Sequence, residues 1–251
     1  MNYLFGDEGW AALERLAADQ ALLAFDFDGT LAPIAAQPDA AQLPPASALI
    51  MQRLCAVAPV AIITGRSVAD VSMRLGFEPH YVIGNHGSEG LPVDPGQLAR
   101  FHDDCQRWQS ALRYRLDTDP ILTGAAIEDK GLTLSLHYRH AHLPQQALEH
   151  LMTLIQGLTP TPRVVTGKFV VNLLPDGAST KHHAVEHLMA TGGFAAALFA
   201  GDDETDEDVF RGAPPHWLTV RIEPVPTSAA RYFLRSQTEV PALLERLVAL
   251  Y

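Results

Sequence analysis

Hydrophobic positions follow two patterns along this chain. In ALLAFDF (21–27), VAIIT (60–64), AALFA (196–200) and LTVRI (218–222) the apolar residues are almost unbroken. Runs this short read as strands buried on both faces of a parallel sheet. YVIGN (81–85) reads as another strand. Between these runs the spacing is helical: Trp10, Leu13 and Leu16 mark a helix over 7–19, and a second covers about 46–57. Ser67 caps a third that runs to about 75. Further helices are expected at about 180–190, at 205–212 and from about 239. Strands alternating with helices predict an α/β fold with a doubly wound, Rossmann-like parallel sheet.

The pattern changes in the middle. LPVDPG (91–96) is rich in turn residues, and a helix at about 96–116 follows with Leu98, Phe101, Cys105, Trp108 and Leu112 as its stripe. AAIEDK (125–130) and LTLSLHYR (132–139) alternate like half-exposed antiparallel strands. A helix after Pro144 precedes two more strands, RVVTG (163–167) and FVVNLL (169–174). The expected organisation is a core of 1–94 and 175–251, with an α+β domain inserted at 95–174. The insert has roughly 80 residues, a normal size for a small domain.

Bulk properties narrow the function classes. The 251 residues carry a formal charge of −11. That acidity disfavours nucleic acid as a partner. Small phosphorylated molecules stay open, because a bound cation inverts the field locally. No run approaches ~18 apolar residues, so no membrane span is expected. MNYLFGDEGW lacks the basic start of a signal peptide, and a cytoplasmic location is expected. Cys55 and Cys105 lack metal-site spacing and are expected to be buried free thiols. Oligomeric state is not legible.

Four short segments carry the candidate chemistry. Asp26-Phe27-Asp28-Gly29-Thr30 closes the first buried strand, where ligands of open α/β sheets bind. Carboxylates two apart on extended backbone face the same way and repel unless a cation joins them. A hard cation such as Mg²⁺ suits those oxygens. Gly29 allows a sharp turn beside a ligand. Thr64-Gly65-Arg66 ends the second strand, where a hydroxyl and main-chain N–H groups meet phosphate oxygens. Lys181 stands in the first helical turn after Ser179 and Thr180, where the dipole disfavours a cation unless an anion binds there. Gly201-Asp202-Asp203-Glu204-Thr205-Asp206 follows another buried strand. Thr205 as a cap accounts for the later acids, but not for Asp202 and Asp203. Each segment also has a plain reading as a loop, cap or solvent-facing charge. All four fall at the same end of the sheet.

Their order, namely nucleophile, hydroxyl, lysine and acid pair, resembles the haloacid dehalogenase superfamily. The insert lies where that superfamily places a type-two cap. LLAFDFDGTLAPI, TGR, GNHGSE (84–89), Glu128-x-Lys130, His137-Tyr138-Arg139, GK (167–168), Lys181 and GDDETDEDVF are similar to trehalose-6-phosphate phosphatases. The resemblance implies a Mg²⁺-dependent phosphatase acting through an aspartyl-phosphate, with Asp26 as nucleophile and Asp28 as general acid and base. Mg²⁺ would be held by Asp26, Asp202 and the backbone carbonyl of Asp28. Thr64 and Lys181 would hold the phosphoryl oxygens, with Gly65, Arg66 and His86 near the substrate. Asp203 or Asp206 would orient Lys181. Glu128, Lys130, Arg139 and Asn172 would meet the sugar from the cap. A polar hairpin face explains Glu128, Lys130, His137 and Arg139 equally well, and His86 also reads as a loop histidine. One position departs from the family: GKFVVN places Asn172 where a glutamate is usual. Other sugar phosphates, such as sucrose phosphate or a glucosyl or mannosyl glycerate phosphate, therefore stay open. So do a phosphomutase and a silent sugar-phosphate-binding domain.

Overall fold

The computed structural model describes residues 1–35 and 40–251. It divides into two compact units, Met1–Leu91 with Ser179–Tyr251, and Pro92–Ala178. The first contains strands β1 (Asn2–Tyr3), β2 (Leu22–Phe25), β3 (Val60–Ile63) and β4 (Tyr81–Ile83), with helices α1 (Asp7–Ala18), α2 (Pro45–Cys55) and α3 (Val68–Leu75). The second contains α4 (Pro95–Thr118), β5 (Ala126–Asp129), β6 (Leu134–His137), α5 (Pro144–Gln156), β7 (Arg163–Gly167) and β8 (Val170–Leu174). The chain then returns to the first unit through α6 (Lys181–Gly192), β9 (Ala197–Gly201), α7 (Glu207–Gly212), β10 (Trp217–Ile222), β11 (Tyr232–Leu234) and α8 (Val240–Leu250).

The first unit is built on a parallel sheet of order β1-β11-β10-β9-β2-β3-β4. The continuous apolar runs are explained by burial on both faces. In β2, Leu23 and Phe25 pack with Leu13, Met51, Leu54 and Leu244 on one side. Leu22 and Ala24 pack with Ala184, Val185 and Phe210 on the other. This is the expected α/β class, a parallel sheet with helices packed on both faces. The edge strand β1 and its neighbour β11 are absent from the sequence pattern. They contribute only two and three residues, too few to show a period. The expected helix at 205–212 begins as a 3-10 turn, Glu204–Asp206, before α7.

The second unit is an antiparallel sheet of order β5-β6-β8-β7. One face packs Leu134, Leu136, Val171 and Leu173 against Trp108 and Leu112 of α4 and Leu151 and Ile155 of α5. The Trp108 indole N–H donates to Pro160 O at 2.6 Å, which satisfies the one polar atom of a fully buried side chain. Both cysteines are free; Cys105 is buried, whereas Cys55 is only half-buried. Among the described residues no helix is long and apolar enough to cross a membrane.

Candidate active site

The carboxyl ends of β2, β3 and β9 bring the four segments together within the first unit. The Asp26 N–H still donates to Ala200 O at 2.9 Å, so the residue is fixed by the ladder that precedes it. Its carboxylate is almost fully buried. The chain then turns sharply: Gly29 N–H donates to Ala32 O and Ala32 N–H to Phe27 O, both at 2.8 Å. Gly29 has φ +78°, and a Cβ there would fall 2.0 Å from Asp202 Oδ2. Only glycine admits both that conformation and that approach. Thr30 uses its hydroxyl to donate to Asp202 Oδ1 at 3.1 Å.

Lys181 joins the first segment to the fourth. Thr180 caps α6 by accepting from the His183 N–H. The buried Lys181 Nζ then lies 2.8 Å from Asp26 Oδ1 and 2.7 Å from Asp206 Oδ1. Burial alone would lower the ammonium pKa, but Asp206 and Asp26 outweigh it and hold the pKa above its ordinary value. Asp206 spends its other oxygen on the N–H groups of Asp202 and Asp203, at 2.9 Å each. A Cβ on Gly201 would strike the Asp206 carboxyl carbon at 2.3 Å, so this contact also requires glycine. Of the two acids that could orient Lys181, Asp206 makes the contact. Asp203 instead caps the 3-10 turn in a capping box with Asp206.

Asp26, Asp202 and Asp206 offer carboxylate oxygens all within 4.8 Å of one another. One ammonium serves these three acids, and the shortfall shows in their protonation. Burial pushes Asp26 up to about 7, against the pull of Lys181. Burial, followed by Asp26 and Asp206, raises Asp202 well above the carboxylate range. With Asp206 engaged on both oxygens, Asp26 and Asp202 are the pair short of positive charge. A hard, oxygen-preferring dication fits that donor set.

Asp28 does not join the cluster. Strand geometry ends at Phe25, and the following turn separates the two acids that the sequence places on one side. Arg66 grips Asp28 bidentately, Nε to Oδ2 at 2.6 Å and Nη2 to Oδ1 at 2.8 Å. Its third nitrogen donates to Asp70 at 2.6 Å. The Arg66 guanidinium thus faces carboxylates of its own chain. Thr64 is buried, and its hydroxyl accepts from the Arg66 N–H at 3.2 Å. His86 covers Gly65, where a Cβ would meet the imidazole at 2.4 Å, and its own N–H donates to Thr64 O. The His86 ring is thus a brace packed behind the turn.

Residues 24–238 match the sequence model of the trehalose-phosphatase family. The chain belongs to that family. It is 32% identical over 250 residues to a trehalose-phosphate phosphatase of Mycolicibacterium paratuberculosis, covering 93% of this chain and 63% of that protein. A trehalose-phosphate phosphatase of Mycobacterium tuberculosis is 30% identical over 248 residues, with the same two coverages. The chain therefore spans less than two thirds of the length of these relatives. The C-terminal domain of the trehalose-6-phosphate phosphatase of C. albicans superposes with a TM-score of 0.73 at 22% identity, covering 96% of this chain and 98% of that one. The sucrose-phosphatase of Synechocystis, solved with sucrose and phosphate, gives 0.59 at 20% identity, covering 92% and 98%. At these identities the structures establish a shared fold.

In this trehalose-phosphatase family member the other sequence candidates lie in the second unit. Glu128, Ser135, Asn172 and Val165 form one row across the sheet by register. Successive partners in such a row share a face. The Glu128 carboxylate accepts from His137 Nε2 at 2.7 Å in the tautomer that carries a hydrogen there, and Lys130 Nζ lies 3.7 Å from Glu128. Asn172 is buried: its amide oxygen accepts from the Ser135 hydroxyl at 2.7 Å and its NH₂ donates to Val165 O at 3.3 Å. Arg139 stacks over the Phe169 ring, 5.5 Å to the centroid. Two participants in the first unit are absent from the sequence candidates. Thr30 stands inside the DGT string, whose glycine and acids draw the attention. Arg221 sits in the apolar run LTVRI, and its only signal is a lone charge in a strand buried throughout.

Proposed function

We propose that this chain is a Mg²⁺-dependent phosphatase that hydrolyses trehalose 6-phosphate through an aspartyl-phosphate on Asp26. The observation that carries the reading is the cluster of buried Asp26 and Lys181 with half-buried Asp202 at the carboxyl end of a parallel sheet. The family membership supports the substrate class. A Mg²⁺ ion held by the Asp26 and Asp202 carboxylates and the Asp28 carbonyl would supply the missing positive charge and offset charge on the transferred group.

The chain's own groups divide the remaining work. One Asp26 oxygen attacks phosphorus as the bond to the sugar oxygen breaks. Lys181, oriented by Asp206, offers its ammonium to the phosphoryl oxygens, and Thr64 and Gly65 border them. Asp28 in its protonated form gives its proton to the departing sugar oxygen. As the carboxylate, the form held in the Arg66 fork, it takes a proton from the water that cleaves the aspartyl-phosphate. Residues 92–178 act as the specificity cap, with Glu128, Lys130 and Arg139 as its sugar contacts. Asn172 acts from beneath them through Ser135. Asn172 also favours a second reading, another disaccharide or glycerate phosphate, because its amide replaces the usual acid.

Phosphate release from trehalose 6-phosphate, sucrose 6-phosphate and glucosylglycerate phosphate, each with Mg²⁺, separates the readings. Trehalose 6-phosphate is expected to turn over fastest, and Asp26→Asn is expected to fall to background without loss of fold. Near-normal activity in Asp26→Asn overturns the mechanism.

A further inference from the structure

The segment that carries Asp202 is held from both sides. Its N–H groups are fixed by Asp206, as described above. Its carbonyls are fixed by Arg221, whose Nη1 donates to Asp203 O at 3.2 Å and whose Nη2 donates to Asp202 O. Arg221 pairs in register with Gly201, the residue just before Asp202. It is 8% exposed, and its charge is balanced by Glu207 Oε1 at 2.9 Å. Glu207 is itself buried, and its second oxygen accepts from the Ala229 N–H at 2.9 Å.

A buried ion pair is a poor source of stability compared with apolar packing. Fold alone gives no reason for an arginine in a strand whose six residues are all buried. What the guanidinium does here is geometric. It binds two successive carbonyls and a carboxylate at once, from a rigid planar fork that a flexible, point-like ammonium lacks. A lone cation this close to a dication site would repel the ion, and Glu207 cancels that charge. The guanidinium meets the main chain of residues 202 and 203 and the side chain of Glu207, so its influence on a bound ion passes through the backbone.

We propose that Arg221, neutralised by Glu207, is the positioning residue that aims the Asp202 carboxylate at the divalent cation. The inference rests on the reading of Asp26 and Asp202 as the cation site. Groups that orient metal ligands from behind are typically worth roughly 10- to 100-fold in metal affinity.

The test is calorimetric titration of MgCl₂ into the EDTA-stripped full chain, which needs no substrate. Arg221→Lys keeps the charge and loses the fork, and is expected to weaken Mg²⁺ binding roughly 10- to 100-fold. Arg231→Lys is the control. Arg231 likewise donates to main-chain carbonyls, those of Ala213, Pro214, Pro215 and Trp217, but at the other end of β10. Its Mg²⁺ affinity is expected to stay at the wild-type value even where its melting temperature drops. Wild-type affinity in Arg221→Lys overturns the proposal, and so does an equal loss in both variants. Should Arg221→Lys fail to melt cooperatively, Glu207→Gln takes its place, with the same expected weakening and the same overturning result. Failure of the wild-type chain to bind Mg²⁺ removes the cation site itself and this proposal with it.

Discussion

At the scale of single residues, the site depends on one ammonium among three crowded carboxylates, two of them buried. Lys181→Met is close in length and removes only the charge. Asp26 and Asp206 would then be buried without their common partner. Removing one member of a buried pair typically costs about 3–5 kcal/mol. We expect a urea-unfolding free energy lower by that amount in metal-free protein, together with loss of phosphate release; unchanged stability would mean that Lys181 is not the counterion. Asp26 and Asp202 stand out in the sequence because each sits where a buried strand gives way to a polar string, and Lys181 because it is a cation in the first turn of a helix. The choice between Asp203 and Asp206 was not legible. Both precede or begin the same short helix, and only the turn geometry decides which carboxylate reaches Lys181. The guanidinium of Arg66 meets Asp70, four residues on, and Asp28, 38 residues away, a pairing that spacing does not reveal.

At the scale of elements, one contact couples the second motif to the third. Gly87 ends the 3-10 turn behind Thr64 with φ +111°, and a Cβ there would lie 2.3 Å from Thr180 O, the cap of α6. Gly87→Ala therefore suffers backbone strain and a clash with main chain. We expect a loss of about 1–3 kcal/mol in denaturant unfolding and a drop in kcat, because the start of α6 carries Lys181. The second element-scale prediction concerns acid. Asp70 in α3 resists ionisation through burial, but bonds from Arg74 and Arg66 outweigh this and hold its pKa below the ordinary carboxylate value. A carboxyl depressed on folding adds stability above its unfolded pKa and loses it as pH falls through the folded value. Asp70→Asn should thus lower the melting temperature at neutral pH, and the gap to wild type should close below pH 4. A gap that does not narrow as the pH falls below the ordinary carboxylate range would exclude the ion pairs as its source. The buried strands β2, β3, β9 and β10 were legible because burial on both faces writes an unbroken apolar run. β1 and β11 were not: strands of two or three residues leave no pattern to read.

At the scale of the whole molecule, the chain carries a charge of −11, and part of it is concentrated where it destabilises the fold. Asp26, which is buried, and Asp202, which is half-buried, repel each other and take up protons more readily than free carboxyls. A folded state that suffers from its own site is one that a ligand rescues. Mg²⁺ at 100 times its dissociation constant adds about 2.7 kcal/mol. For a chain of this size that corresponds to a rise in melting temperature of roughly 5–11 °C. Asp202→Asn keeps an acceptor for the Thr30 hydroxyl and removes one of the crowded charges. Its two effects should have opposite signs: a higher melting temperature than wild type in EDTA, and little or no response to Mg²⁺. Thermal melts of both proteins with and without the ion read both effects together. If Asp202→Asn melted lower than wild type in EDTA and still gained several degrees with Mg²⁺, the carboxylate would be structural and the ion would bind elsewhere. If the curves cross as expected, the instability of the empty cluster and its affinity for the cation have one cause, the shortage of positive charge around Asp26 and Asp202.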